Sequence, residues 1–343
     1  MDFRDILKDS VAGKSLSAES AEFALRGVMN SEVPESLVSS FLTSLAVRKV
    51  SGCELLGFAK AMRALAVTLE VNSRPLLDTC GTGGDRKGTF NISTTVALVC
   101  AGAGIKVAKH GNRSATSACG SADVLEKLGI VIDLPPDLVA KSISEVGIGF
   151  IFARRYHPAM KNVAKLRSEL PFPTIFNMLG PLSNPASPDS QIIGVFSADL
   201  LDSISDALMG LGVKSGYVVF GKEGLDEVSI SGETEIVEIR EGVKKSYVVI
   251  PEDFGLQRTS IGSIHGGDTE KNAEIILKVL SGEKSPYRDA VVINSALALV
   301  AGGKAKDFLE GKELAEEVLD RGLAKDKLDE WLKFCKSVVN NNS

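Results

Sequence analysis

Aromatic side chains are scarce in this chain, at 6% of 343 residues with a single tryptophan. Cysteine is sparse as well: Cys53, Cys80, Cys100, Cys119 and Cys335 are odd in number, and no two stand at C-x-x-C spacing. That pattern argues against a disulfide framework and against a zinc site. Long apolar runs are missing. The longest, residues 96–105, reaches about half the length of a membrane-spanning helix and is rich in Ala and Gly. Positive charge is not in excess either, since 39 Lys and Arg face 44 Asp and Glu for a net −5. A dedicated nucleic-acid or anionic-membrane binder is therefore not expected. Residues 1–5 make no basic leader start and no apolar stretch follows them, so a secretory signal is not expected. The expectation is a cytoplasmic protein with no membrane and no nucleic-acid partner.

Glycine is what the chain has in quantity: 33 residues, above the usual ~7%. Many glycines with few aromatics suit an α/β protein whose loops bring backbone atoms close to a ligand. The length allows roughly two domains at about 150 residues each.

Up to about residue 72 the pattern is helical only. Pro34 reads as a first-turn proline, followed by Leu37, Val38, Phe41, Leu42 and Leu45 at one-face helical spacing. Ser51 and Glu54 form a capping box ahead of a second stripe, Leu55, Leu56, Ala59, Met62, Leu65, Ala66 and Leu69. After Pro75 short apolar runs alternate with helical stretches. The runs at 76–77, 105–108, 131–132, 148–152, 191–196, 217–220 and 291–294 are strand candidates, and their alternation with helices implies a largely parallel sheet. Pro171, Pro173, Pro181, Pro185 and Pro188 mark an irregular middle, a candidate crossing between domains. The expected division is a helical domain over 1–73, joined by helices from the 155–185 region, and an α/β domain over 74–343.

Four segments carry chemistry. The first, DTCGTGGD at 78–85 followed by Thr89, Asn91, Ser93 and Thr94, runs from a strand through three glycines into a helix start. Backbone amides on such a turn, with the helix dipole behind them, suit a phosphate. It is not a P-loop, because Thr89-Phe90 replaces Lys-Ser/Thr, and Arg86 stands where a dinucleotide fingerprint needs its third glycine. A plain glycine turn with a helix cap is the alternative reading.

The second, KHGNR at 109–113 with Ser114, Thr116 and Ser117, follows the next strand, where loops face the ligand crevice. Its cations suit a polyanion, and Ser121 lies at the following helix start; a solvated basic turn is the alternative. The third, Asp226-Glu227, suits a Mg²⁺ held jointly with substrate phosphates, although an acidic pair is more often plain surface charge. The fourth is Arg167, whose fork suits a carboxylate, though nothing local separates it from a helix-surface arginine. His157 and His265 have no partner legible in the sequence and read as structural or exposed.

Taken together, GTGGD at 81–85, NIST at 91–94, KHGNR at 109–113, GSADVLE at 120–126, TIFNMLGPLSNP at 174–185 and DEVS at 226–229 resemble the anthranilate phosphoribosyltransferase family. The match runs over essentially the whole chain; residues 114–119 depart from the family pattern more than their flanks. The resemblance implies an α/β protein with a small all-helical domain and a larger domain built on a mostly parallel sheet, nucleoside phosphorylase/phosphoribosyltransferase-like. It also implies a cleft between the domains and a homodimer formed through the helical one. It assigns phosphoribosyl pyrophosphate to Gly81, Gly84, Asp85, Thr89, Asn91, Ile92, Ser93, Thr94, Lys109, His110, Gly111, Asn112, Arg113, Ser117 and Ser121. Anthranilate falls to Gly81, Asn112 and Arg167. Two Mg²⁺ ions fall to Ser93 with Glu227, and to Asp226 with Glu227.

The implied reaction moves a 5-phosphoribosyl group onto the amine of anthranilate, releasing pyrophosphate, in tryptophan synthesis. An aromatic amine is already neutral at pH 7, so no catalytic acid or base is named. The resemblance leaves association with anthranilate synthase open. Two other readings share the architecture. A pyrimidine nucleoside phosphorylase would carry its own loop in place of KHGNR and would not need Asp226-Glu227. A non-catalytic nucleic-acid binder would be basic with eroded metal ligands.

Overall fold

The computed structural model describes residues 1–114 and 118–340. Four helices come first: α1 (Phe3–Val11), α2 (Ala18–Met29), α3 (Glu35–Val47) and α4 (Gly52–Ala64). The capping box at α4 forms as expected, with the Glu54 amide donating to Ser51 Oγ at 3.3 Å and the Ser51 amide to Glu54 Oε2 at 2.9 Å. Glu54 is fully buried because it also receives the Leu16 amide and the Arg48 guanidinium, tying the α1–α2 link to α4. Pro34 sits at the N-cap position of α3, one residue before the first turn.

The rest alternates: β1 (Leu76–Gly81), α5 (Ile92–Gly102), β2 (Lys106–Gly111), α6 (Ser121–Lys127), α7 (Pro136–Glu145), β3 (Ile148–Phe152), α8 (Ala153–Tyr156), α9 (Lys161–Glu169), α10 (Phe176–Leu182), β4 (Ser190–Gly194), α11 (Leu201–Gly210) and β5 (Ser215–Gly221). Then follow β6 (Thr234–Arg240), β7 (Val243–Val249), α12 (Thr269–Leu280), α13 (Pro286–Ala301), α14 (Phe308–Asp320) and α15 (Leu323–Asn340). The sheet runs β3-β2-β1-β4-β5-β6-β7, with the first five strands parallel. Strand order reverses between β1 and β4, the switch point at whose carboxyl ends an α/β sheet opens its crevice.

Two strand expectations fail. Residues 131–132 lie in the loop between α6 and α7, where Ile132 simply packs into the core. Residues 291–294 belong to α13, which Ser285 caps ahead of Pro286. That helix is buried on nearly every side, so it shows no one-face period and its apolar run mimics a strand. Conversely, β6 and β7 are an antiparallel hairpin absent from the strand candidates. Its turn, Glu241-Gly242, has φ of 48° and 80°, the two-residue geometry that matches strand twist.

Two apolar cores result. One unites α1–α4 with Val163 and Leu166 of α9, Phe176 and Leu179 of α10, and Ile204 and Leu208 of α11. The other surrounds α5 and gathers α12–α15 against the opposite part of the sheet.

Candidate active site

Gly81 ends β1 paired with Gly194 at the end of β4, so the first glycine loop leaves the sheet at the switch point. Gly83, Gly84 and Gly88 all have positive φ, at 65°, 84° and 66°, and Arg86 shares that region at 56°. The chain therefore curls tightly before Asn91 and α5, whose first turn carries Ser93 and Thr94. Ile92 is buried and its amide goes to Phe90 O at 2.7 Å. The Thr94 hydroxyl is buried with no partner among the described residues.

Behind the loop, Asp78 is fully buried on β1 and receives the His110 amide at 3.2 Å, Asn184 Nδ2 at 2.9 Å and Gln191 Nε2 at 3.2 Å. Burial raises its pKa, against the pull of nearby Lys109. Lys109 is itself buried, donating from Nζ to Thr79 O at 2.6 Å and to Ser93 Oγ at 3.4 Å. Burial lowers its pKa, while Asp78, Cys80 and Glu227 hold it up. The Lys109 side chain thus links the end of β1 to the first turn of α5.

The KHGNR loop divides its work. His110 points away from the glycine loop: its Nδ1 lies 3.1 Å from Gly180 O and its ring meets that of His157 edge-on at 5.2 Å. Burial pushes the His110 pKa down to about 3 and that of His157 to about 4. The Asn112 carbonyl accepts from Ser121 Oγ at 3.3 Å, which draws α6 up to the loop. At Gly111 a Cβ would collide with that same hydroxyl and with Phe150. Arg113 pairs with Asp123 at 2.8 Å and Glu126 at 2.9 Å and covers the Phe152 ring. Ser117 lies outside the described residues.

Asp226 and Glu227 face the glycine loop, and the Gly83 amide donates to Asp226 Oδ2 at 3.0 Å. The Asp226 pKa is pushed up to about 7 by burial and by Asp85 beside it. Glu227 is raised too, by burial and then by Asp226, against Lys109 and the Ser93 amide. Among the described residues no three ligand-type side chains converge on one point. Yet Asp85 Oδ2 is buried with no hydrogen-bond partner among the described residues, beside two carboxyl groups whose charged form is disfavoured. Such a set fits a divalent cation that brings further oxygen ligands with it.

Arg167 on α9 lies half-buried over the Phe176 ring at 5.1 Å. Desolvation lowers its pKa, and no acidic side chain pairs with it among the described residues. His265 is exposed, and the backbone of its segment braces the glycine loop, where Thr89 bridges His265 and the Gly266 amide reaches Gly88 O at 2.8 Å.

Three supporting residues went unread in the sequence. Asn272 Nδ2 donates to Asn91 Oδ1 at 2.9 Å, Gln191 holds Asp78, and Asn294 bonds the backbone of Val228. The available signal was a lone amide in an apolar helix, as in the run VVINSALALV around Asn294.

Known proteins share this arrangement. Residues 4–66 match the helical bundle domain, and residues 73–325 the a/b domain, of the glycosyl transferase family. Anthranilate phosphoribosyltransferase of Rubrobacter xylanophilus is 45% identical, covering 99% of each chain. The crystal structure of the Thermus thermophilus enzyme of that name superposes with a TM-score of 0.92 at 43% identity, covering 98% of this chain and 100% of that one. The Saccharomyces cerevisiae enzyme in complex with phosphoribosyl pyrophosphate and Mg superposes at 0.88 with 29% identity, covering 98% of each chain. Full-length likeness at this level, on top of a sheet whose switch point gathers the expected loops, decides the matter: the chain belongs to the anthranilate phosphoribosyltransferase family.

Proposed function

We propose that this chain transfers the 5-phosphoribosyl group of phosphoribosyl pyrophosphate to the amine of anthranilate, giving N-(5-phosphoribosyl)anthranilate and pyrophosphate in tryptophan biosynthesis. The observation that carries the reading is the union of the glycine loop with the acidic pair, through the Gly83–Asp226 hydrogen bond. Gly81, Gly84, Asp85, Thr89, Asn91, Ser93, Thr94, Lys109 and Ser121 hold the phosphorylated sugar. Asn112 and Arg167 hold anthranilate; a desolvated guanidinium without an acidic partner is poised for its carboxylate. Arg113 supports the loop through Asp123 and Glu126, and His110 does so from beneath through Gly180.

Two Mg²⁺ ions fit the acid set, one at Ser93 and Glu227 and one at Asp226 and Glu227. When bound, they offset the charge that grows on the departing pyrophosphate. Lys109, held beside Ser93 by its bond to Thr79 O, would add positive charge next to the pyrophosphate. Asn112 and Arg167 orient the amine toward C1, and with an oxocarbenium-like sugar, placement of that nucleophile matters more than its activation.

The functional units are residues 1–73 with α9 and α10, and the α/β remainder. Val11, Phe23 and Val47 are exposed on the helical unit, which supports reading that unit as the surface of a homodimer. No helix of the described residues is long and apolar enough to cross a membrane, and none of the five cysteines forms a disulfide, in keeping with a cytoplasmic enzyme. Loss of anthranilate fluorescence on adding phosphoribosyl pyrophosphate and Mg²⁺ tests the reaction. Persistent fluorescence with pure protein would overturn it.

A further inference from the structure

Asp226 and Glu227 sit on a loop whose backbone, two residues past Asp226, is gripped from behind. Asn294 lies in the middle of α13, buried, with every neighbour from Ala290 to Ala301 buried as well. Its Oδ1 accepts the Val228 amide at 2.8 Å, and its Nδ2 donates to Val228 O at 3.1 Å and to Ala290 O at 2.9 Å. One side-chain amide thus pairs with both polar groups of a single residue, as a neighbouring strand would. Both Nδ2 hydrogens and the carbonyl oxygen are used, so only a side chain with donor and acceptor together makes this clamp. Leu225 on one side and Val228 on the other are buried, leaving the acidic pair as the span between two fixed points. The Leu225 end is closed by its own bridge to Gly221.

We propose that Asn294 is a positioning residue for the metal-dependent step: by holding Val228 it sets the register in which Asp226 and Glu227 are presented to the glycine loop. A one-residue slip at Val228 would move one carboxylate into the other's place and carry that other out of position, and the two Asn294 hydrogen bonds to Val228 oppose it. This rests on the reading that Asp226 and Glu227 hold Mg²⁺. Partners that orient metal ligands from behind are typically worth about 10- to 100-fold in metal affinity.

The test is calorimetric binding of phosphoribosyl pyrophosphate over a range of Mg²⁺ concentrations. In Asn294→Leu, which removes the clamp at similar volume, the Mg²⁺ concentration for half-maximal binding should rise by about 10- to 100-fold. Affinity measured without Mg²⁺ should stay unchanged. Ile293→Val, a cavity in the same helix, should lower thermal stability and leave the Mg²⁺ midpoint in place, separating positioning from mere support. If Asn294→Leu does not fold, Asn294→Ser takes its place. A folded Asn294 variant with the wild-type Mg²⁺ midpoint overturns the proposal. Asp226→Asn with Glu227→Gln serves as the parallel arm: if Mg²⁺ dependence survives there, the metal reading itself fails, whatever Asn294 does.

Discussion

The backbone carbonyl of Asp226 occupies the place where a Cβ on Gly194 would be. On the neighbouring strand, a Cβ on Gly81 would come within 2.5 Å of the Asp226 carboxylate. The two central strands thus end in paired glycines because the acidic loop lies directly on them.

Gly194→Ala should therefore displace the acidic loop. Overpacking of this kind costs about 1–3 kcal/mol of stability. Activity should fall by more than the stability loss explains, with the deficit in Mg²⁺ dependence. Chemical denaturation and a Mg²⁺ titration of the same preparation check both halves.

Gly84 tests the phosphate cradle separately. Its φ of 84° and open surroundings mean that Gly84→Ala suffers from backbone conformation and not from a clash. The penalty is about 1–2 kcal/mol if the loop keeps its shape. Affinity for phosphoribosyl pyrophosphate should drop while the fold persists. Unchanged affinity by calorimetry would remove the loop from the binding site.

Arg167→Ala should act on one substrate only. A charged hydrogen bond is worth about 1.5–3 kcal/mol, or roughly a 10- to 150-fold loss in kcat/KM for anthranilate. The loss should lie mainly in KM, since the carboxylate is held alike before and during reaction. Equal losses for both substrates would make Arg167 structural.

The acidic pair also predicts a pH dependence of the ligand-free protein. Asp226 is raised from 3.8 to about 7 in the fold, so between those values the folded state binds more protons than the unfolded one. Stability then falls as pH rises through that window. Asp226→Asn with Glu227→Gln lacks the slope and should gain stability relative to wild type near pH 8, while losing most activity. Thermal midpoints across pH 5 to pH 8, taken without Mg²⁺, decide the point.

The helical face gives a prediction about assembly. With Val11, Phe23 and Val47 exposed together on one unit, the protein should scatter light as a dimer at micromolar concentration. A monomer there would overturn the dimer reading.

Much of the site is legible in the sequence because its glycines and charges are local. Of the three glycines in the turn at 81–84, Gly83 and Gly84 adopt positive φ, while Gly81 stays in the strand. What escapes is support from a distance. Asn184 and Gln191 hold Asp78 from more than a hundred residues away, and nothing in a linear pattern pairs them. The β6–β7 hairpin escapes because Glu235, Glu238, Lys244 and Lys245 break its apolar alternation at the sheet edge. The run at 291–294 misleads because complete burial erases the one-face stripe by which a helix is recognised.

The pairing of Gly81 with Gly194, and of Val228 with Asn294, has a consequence for synthesis on the ribosome. A nascent chain displays the whole glycine loop and the KHGNR loop early, but β1 lacks its neighbour β4 until residue 194 has emerged. The acidic pair lacks its anchor until α13 follows. Contacts so distant along the chain close late and slowly. A truncated product that ends between Glu227 and α13 therefore carries the glycine loop, the KHGNR loop and the acidic pair, but not the Asn294 side chain that holds Val228.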